Sequence, residues 1–239
     1  MKPYNTTQLY IDRAEDRGIV HRDYLAHCLR WTHIVKYAKM GQKILDVGCG
    51  VNIPLAWMMY TNKFKPFMYM GLDYRDKFEV DVRGFNFPVT LVGNFDVTNE
   101  AHWQNEVLKS NDFDIVTCLE VIEHMPKESG IKLLENLATE VSGSVIFLST
   151  PCFNGSKAAN HIYEWRYDEL KAELESMFTI EAHFGTFASQ SEILLALNSH
   201  ERDLFERLRR YYDSNVLSVI FAPLYPSLSR NVMWQLRVK

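Results

Sequence analysis

The sequence predicts an α/β fold: a Rossmann-like, mostly parallel sheet flanked by helices. Short apolar runs bounded by turn residues alternate with segments of helical period from Lys43 onward. The first such run passes directly into a glycine turn, Asp46-Val47-Gly48-Cys49-Gly50, the layout of a ligand-binding strand-to-helix loop. No repeat, low-complexity tract or Pro/Gly/Ser-rich linker divides the 239 residues, so a single domain over 1–239 is expected. At 47% hydrophobic, a chain of that length buries a sizeable core without disulfides or metals.

The first twenty residues read as polar and irregular, without the apolar h-region of a secretory signal. Cys28, Cys49, Cys118 and Cys152 show no Cys-x-x-Cys spacing and are expected as free thiols in a reducing, cytoplasmic setting. A helix is predicted at about 23–40, where Leu25, Cys28, Leu29, Val35 and Ala38 approximate a helical stripe and Gly41 follows. Strands are predicted at Lys43–Val47, Phe67–Leu72, Val89–Val92, Phe113–Cys118 and Ser144–Ser149. Leu170, Leu174, Met177 and Phe178 recur at helical spacing, and Ser189-x-x-Glu192 matches a capping box. Ser191–Asp213 reads as one or two helices, Ser214–Arg230 has no clear period, and Asn231–Val238 alternates as a closing strand. A helical insertion at about 186–230 therefore precedes the last strand.

Twenty-six Lys plus Arg against thirty Asp plus Glu leave a net charge of −4, which excludes a globally basic nucleic-acid coat. No extended nucleic-acid surface is expected. The longest uncharged runs, Val47–Asn62, Val141–Ser156 and Ser214–Ser229, are 16 residues each and contain proline. Each falls short of the ~20 residues a bilayer-spanning helix needs, so no membrane partner is expected.

Gly48 and Gly50 lack the Cβ atoms that keep a backbone away from a ligand, while Asn52 is a candidate N-cap and Pro54 suits a first helical turn. The dinucleotide pattern needs a small residue where Ile53 stands, and no Lys-Ser/Thr follows for a nucleotide-triphosphate loop. Asp73 ends the second strand 23 residues beyond Gly50, where a carboxylate accepts both hydrogen bonds of a ribose diol. After the third strand, Asp96 or Asn94 is a candidate for an adenine amino group, with loop capping as the alternative role.

Leu45-Asp46-Val47-Gly48-Cys49-Gly50, Asp73 and Phe113-Asp114-Ile115-Val116 together resemble the class I S-adenosylmethionine-dependent methyltransferases, over roughly Lys43–Pro151. The resemblance implies a seven-stranded sheet with the last strand antiparallel and S-adenosyl-L-methionine as cofactor. The cofactor-binding set it implies is Asp46, Gly48, Gly50, Asp73, Asp96 and Cys118. The sulfonium makes the methyl group electrophilic, so the protein's task is to align a nucleophile with it.

Directly after the fourth strand stand Glu120, Glu123 and His124, whose i, i+3, i+4 spacing predicts one shared face of a helical turn. Two carboxylates and an imidazole suit a divalent cation, Mg²⁺ or Mn²⁺, and His161 beyond the next strand end is a candidate fourth ligand. The pair Glu-x-x-Glu-His and His-x-x-Glu-Trp is similar to the 3′-terminal RNA ribose 2′-O-methyltransferases of the Hua-enhancer family. That similarity implies Glu120, Glu123, His124 and His161 as metal ligands and an RNA 3′ end as acceptor. Glu120, His124 and His161 are then the candidate catalytic residues.

Glu-Val-Ile-Glu-His is also similar to a stretch of ubiquinone-type O-methyltransferases. There the same residues line a cofactor pocket, or His124 acts as general base on a small-molecule acceptor without metal. A non-catalytic S-adenosylmethionine-binding module is the alternative of another class. The remaining histidines carry no partner at ligand spacing, and the Arg-rich stretch His200–Tyr212 reads as a solvated amphipathic helix.

Overall fold

Strand and helix alternate through the computed structural model, which describes residues 22–141 and 143–239. The polar amino-terminal stretch and His21 lie outside the described residues. The first helix, α1 (Arg22–Tyr37), is followed by β1 (Lys43–Val47), α2 (Pro54–Thr61), β2 (Met68–Leu72), β3 (Val89–Val92), the single turns α3 (Glu100–Trp103) and α4 (Glu106–Lys109), and β4 (Ile115–Leu119). Then come α5 (Lys127–Glu140), β5 (Val145–Pro151), α6 (Tyr167–Met177), β6 (Phe178–Ala188), α7 (Gln190–Ala196), α8 (Ser199–Leu208), α9 (Ser214–Phe221) and β7 (Ser229–Val238).

The seven strands form one sheet in the order β3-β2-β1-β4-β5-β7-β6. β7 runs antiparallel to both β5 and β6, and the other pairings are parallel. This is the Rossmann-like class I methyltransferase fold the sequence predicts. The chain order reverses between β1 and β4, so their carboxyl ends open a crevice, the place where open α/β sheets bind ligands.

Side chains alternate across the pleat and divide the core into two layers. On one face Leu45, Val47, Met70, Leu72, Val116, Ile146 and Trp234 pack with Leu133, Leu134 and Leu137 of α5 and Leu170 and Leu174 of α6. On the other, Ile44, Tyr69, Ile115, Phe147 and Met233 meet Trp31 and Ile34 of α1 and Leu55, Ala56 and Met59 of α2. A third cluster, with Ile193, Phe205, Leu217 and Phe221, joins α7, α8 and α9, and α9 packs on β6 and α1. Among the described residues no helix is long and apolar enough to cross a membrane.

The structure departs from expectation at three places in the fold. Phe178–Ala188, where the sequence shows only a helical stripe ending at Phe178, is the edge strand β6; register shifts after Ile180, Gly185 and Phe187 break its alternation. Gly185 sits there because Ser229 and the Ala222 carbonyl lie where a Cβ would be. Ser189 begins α7 but caps nothing with its side chain, since its hydroxyl pairs with Ser191 at 2.8 Å. The reciprocal cap lies one helix later, between Asn198 and Glu201. Finally, α1 stops at Tyr37, and Gly41 adopts φ +83° in the turn beyond it.

Candidate functional site

The glycine turn leaves β1 with Gly48 and Gly50 both at φ +73°, a backbone region costly to residues with a Cβ. At Gly48 a Cβ would also stand 2.3 Å from Val121 Cγ2. The Gly48 and Cys49 amides donate to the Leu72 carbonyl at 2.8 and 3.0 Å, and the Gly50 amide donates to Asp73 Oδ2 at 2.9 Å. Asn52 does not cap α2 as expected. Ile53 holds the N-cap position in left-handed geometry (φ 42°) without a side-chain bond, and Pro54 opens the helix. Asn94 (φ 54°) and Glu120 (φ 59°) share that strained conformation, so three non-glycine residues are bent at the carboxyl ends of β1, β3 and β4.

Beside the turn, Asp46 is buried and accepts from Tyr69 Oη at 2.5 Å and Thr117 Oγ1 at 2.6 Å. Burial pushes its carboxyl up to about 6, against the pull of those two hydrogen bonds.

A cavity of about 600 Å³ opens at the switch point, lined among others by Gly48, Gly50, Asp73, Glu120, His124 and Asn160. A second, of about 450 Å³, shares Gly48 and Asp73 with it and extends to Phe95 and Asp96. Asp73 is buried, and Arg75 engages both of its oxygens, with Nε on Oδ1 at 2.8 Å and Nη2 on Oδ2 at 3.1 Å. Asp96 lines the second cavity while its Oδ1 caps Thr98 N and Oγ1 at 2.9 and 2.7 Å. Those bonds hold its carboxyl below the usual range. Cys118, expected with the cofactor set, lines neither cavity. It packs in the core, where burial pushes its thiol up.

Past β4 the chain makes one short turn, Ile122–His124, and returns through α5. Ligand atoms of Glu123, His124 and His161 lie within 4.8 Å of one another. Glu123 is buried and accepts from Thr150 Oγ1 at 3.0 Å, and its backbone carbonyl receives the Ile162 and Tyr163 amides at 2.8 and 3.2 Å. Those two bonds bring the His161 loop to the turn. Burial, and then the charge of Glu120, drive the Glu123 carboxyl well upward.

Glu120, expected as a ligand beside these three, is not part of this group. The left-handed backbone at Glu120 takes that residue out of the helical turn its spacing predicts. Its carboxylate instead accepts from Asn231 Nδ2 at 2.9 and 3.0 Å and from Ser149 Oγ at 2.7 Å, with Arg30 Nη1 3.7 Å away. Burial pushes the Glu120 carboxyl upward, but Arg30 and these donors outweigh it and hold the group low and ionised.

Arg30 itself is buried and donates to Thr186, to Asn231 and, at 2.8 Å, to His27 Nδ1. An arginine only donates, so His27 is the tautomer protonated on Nε2. Burial and then Arg30 lower its pKa to about 3, which keeps it neutral. His27 and Trp31 line the 600 Å³ cavity, which sequence reasoning missed along with Arg30, Arg75 and Asn231. The available signal was the spacing of His27, Arg30 and Trp31, three non-aliphatic residues on one face of a buried helix.

The sequence profile of the methyltransferase-domain family matches residues 20–183. Among solved structures, the small RNA methyltransferase HEN1 superposes with a TM-score of 0.61 at 15% identity, over 89% of this chain but only 25% of that one. The methyltransferase domain of bacterial CtHen1 superposes with a TM-score of 0.56 at 14% identity, over 89% of this chain and 98% of that one. Magnesium protoporphyrin IX methyltransferase from Synechocystis PCC 6803 superposes with a TM-score of 0.55 at 15% identity, over 97% and 89%. The chain thus spans about a quarter of the HEN1 chain, and at such identities these likenesses concern the fold alone.

Proposed function

The chain belongs to the methyltransferase-domain family and is an S-adenosylmethionine-dependent methyltransferase, and from that premise we propose that it methylates a hydroxyl oxygen with divalent-metal assistance, the acceptor being the 3′-terminal ribose of an RNA. The observation that carries this reading is the convergence of Glu123, His124 and His161 within 4.8 Å, with His124 on the wall of the cavity that also holds the glycine turn.

S-adenosylmethionine supplies an electrophilic methyl group. In our reading Gly48 and Gly50 let the backbone approach it, Asp73 accepts its ribose diol after Arg75 withdraws, and Asp96 borders the adenine half. One buried carboxylate and two imidazoles are a fitting donor set for a divalent ion, and two nitrogens favour Mn²⁺ over the oxygen-seeking Mg²⁺. Such an ion would lower the pKa of an acceptor hydroxyl and orient its oxygen. Glu120, held ionised by its network, offers an acceptor for a hydroxyl proton on the same cavity wall. A metal ion and one carboxylate grip a single terminal nucleotide without a basic track, which accords with the net charge of −4.

The test is an acceptor screen: labelled methyl transfer to mixed RNA and to small hydroxylated compounds, with RNA also supplied bearing a 3′-terminal phosphate. Transfer to RNA that the phosphate abolishes supports the reading. Transfer that persists on blocked RNA moves the acceptor away from the terminal ribose, and transfer to small acceptors alone that survives EDTA replaces the reading with metal-independent catalysis in which His124 Nε2 is the base.

A further inference from the structure

Resting on that reading, we propose that Glu164 is a positioning residue for His161, and that Arg230 fixes Glu164 so that the free imidazole nitrogen of His161 is Nε2. His161 Nδ1 lies 2.6 Å from Glu164 Oε1. A carboxylate only accepts, so Nδ1 carries a proton, and in the neutral ring Nε2 keeps the lone pair. Glu164 has no side-chain exposure; its other oxygen accepts from Arg230 Nη2 at 2.5 Å, while the Ala158 amide donates to Oε1 at 3.2 Å. Arg230, at the start of β7, also donates to the carbonyls of Cys152 and Ser156, so one guanidinium holds the start of the loop through these carbonyls and its far end through Glu164.

The second histidine is oriented in the same sense. His124 Nδ1 lies 3.1 Å from the Asn160 carbonyl, an acceptor, so its lone pair is also on Nε2. The rings meet edge to face with centroids 5.1 Å apart. One loop, residues 156–165, therefore supplies a ligand and the hydrogen-bond acceptors that set both imidazole tautomers. Orienting acceptors of this kind are what raise ligand basicity and fix ring direction in metal sites.

The substitution Glu164→Gln isolates the effect. Arg230 accepts nothing and is the charged, closer donor, so the glutamine oxygen faces it and the amide nitrogen faces His161 at the expense of the Ala158 amide bond, which puts the proton on Nε2. Mn²⁺ binding is followed by electron paramagnetic resonance, and the His161 tautomer by imidazole ¹⁵N shifts in metal-free protein. The expected result is Nδ1 protonation in the wild-type protein and Mn²⁺ affinity about 10–100-fold lower in Glu164→Gln, with affinity for S-adenosylmethionine unchanged.

Wild-type His161 protonated on Nε2 overturns the inference even if the variant does not fold. Equal Mn²⁺ affinity in both proteins overturns it and leaves the metal reading standing. A wild-type protein that binds no Mn²⁺ removes the metal reading and this inference with it.

Discussion

The guanidinium of Arg30 in α1 stands 3.7 Å from the carboxylate of Glu120 at the end of β4, and both side chains are largely removed from solvent. The pair, with Asn231 and Thr186 around it, ties the first helix to three strands at the cavity wall. Glu120 stands apart from Glu123, His124 and His161, with Oε1 accepting from Ser149 and Asn231 and Oε2 from Asn231 alone.

Removing Arg30 leaves a buried carboxylate without its cation. Arg30→Met should therefore lower unfolding free energy by about 3–5 kcal/mol, read from urea denaturation at pH 7.5. A loss near zero would mean that water, and not the guanidinium, compensates Glu120.

Arg75 occupies both oxygens of Asp73, the ones that a ribose diol would need in the proposed reading. Calorimetry should show S-adenosylmethionine binding weakened about tenfold or more by Asp73→Ala, the cost of losing hydrogen bonds to a charged group. Arg75→Ala should bind as tightly as wild type or more so. Weakening by both substitutions to the same degree would assign the ribose contact to Arg75.

At Gly48 the positive φ and the 2.3 Å approach to Val121 act together. Gly48→Ala is expected to cost at least ~1–2 kcal/mol from backbone conformation alone and to abolish detectable cofactor binding. Adding Val121→Ala should recover stability in part, because it relieves the contact but not the φ. Full recovery would show that the backbone angle is not limiting.

The buried Asp46, with its carboxyl at about 6, makes a pH-dependent contribution of definite sign. Between the unfolded value of 3.8 and the folded value near 6 the native state binds the extra proton, so this residue's contribution falls as pH rises through that window and is flat above it. The stability of wild type relative to Asp46→Asn should decline by about 2 kcal/mol from pH 4 to pH 7. A relative stability that rises with pH would reverse the assignment.

The sheet was legible because short apolar runs bounded by turn residues are what a parallel sheet covered on both faces requires: Lys43–Val47 and Val89–Val92 match the observed strands end to end. β6 was hidden because an edge strand carries Glu181 and His183 and changes register three times, leaving no alternation to read. In the site, residues close in sequence were read together correctly where the backbone is regular, as for Glu123 and His124. Glu120 does not share the face expected for it, because spacing assumes helical dihedrals and Glu120 is left-handed. Arg30, Asn231 and Arg230 reach the site from distant parts of the chain, and no local pattern marks such contacts.

The most direct measurement is methyl transfer from labelled S-adenosylmethionine to RNA with a free 3′ end, after chelation and then on titration with Mn²⁺, in wild type and Glu123→Ala. Wild-type activity is expected to fall by about 100-fold or more in chelator and to return with Mn²⁺, while Glu123→Ala stays inactive throughout. Full transfer in the presence of EDTA, or an unimpaired Glu123→Ala, would contradict a metal-assisted reaction at this site.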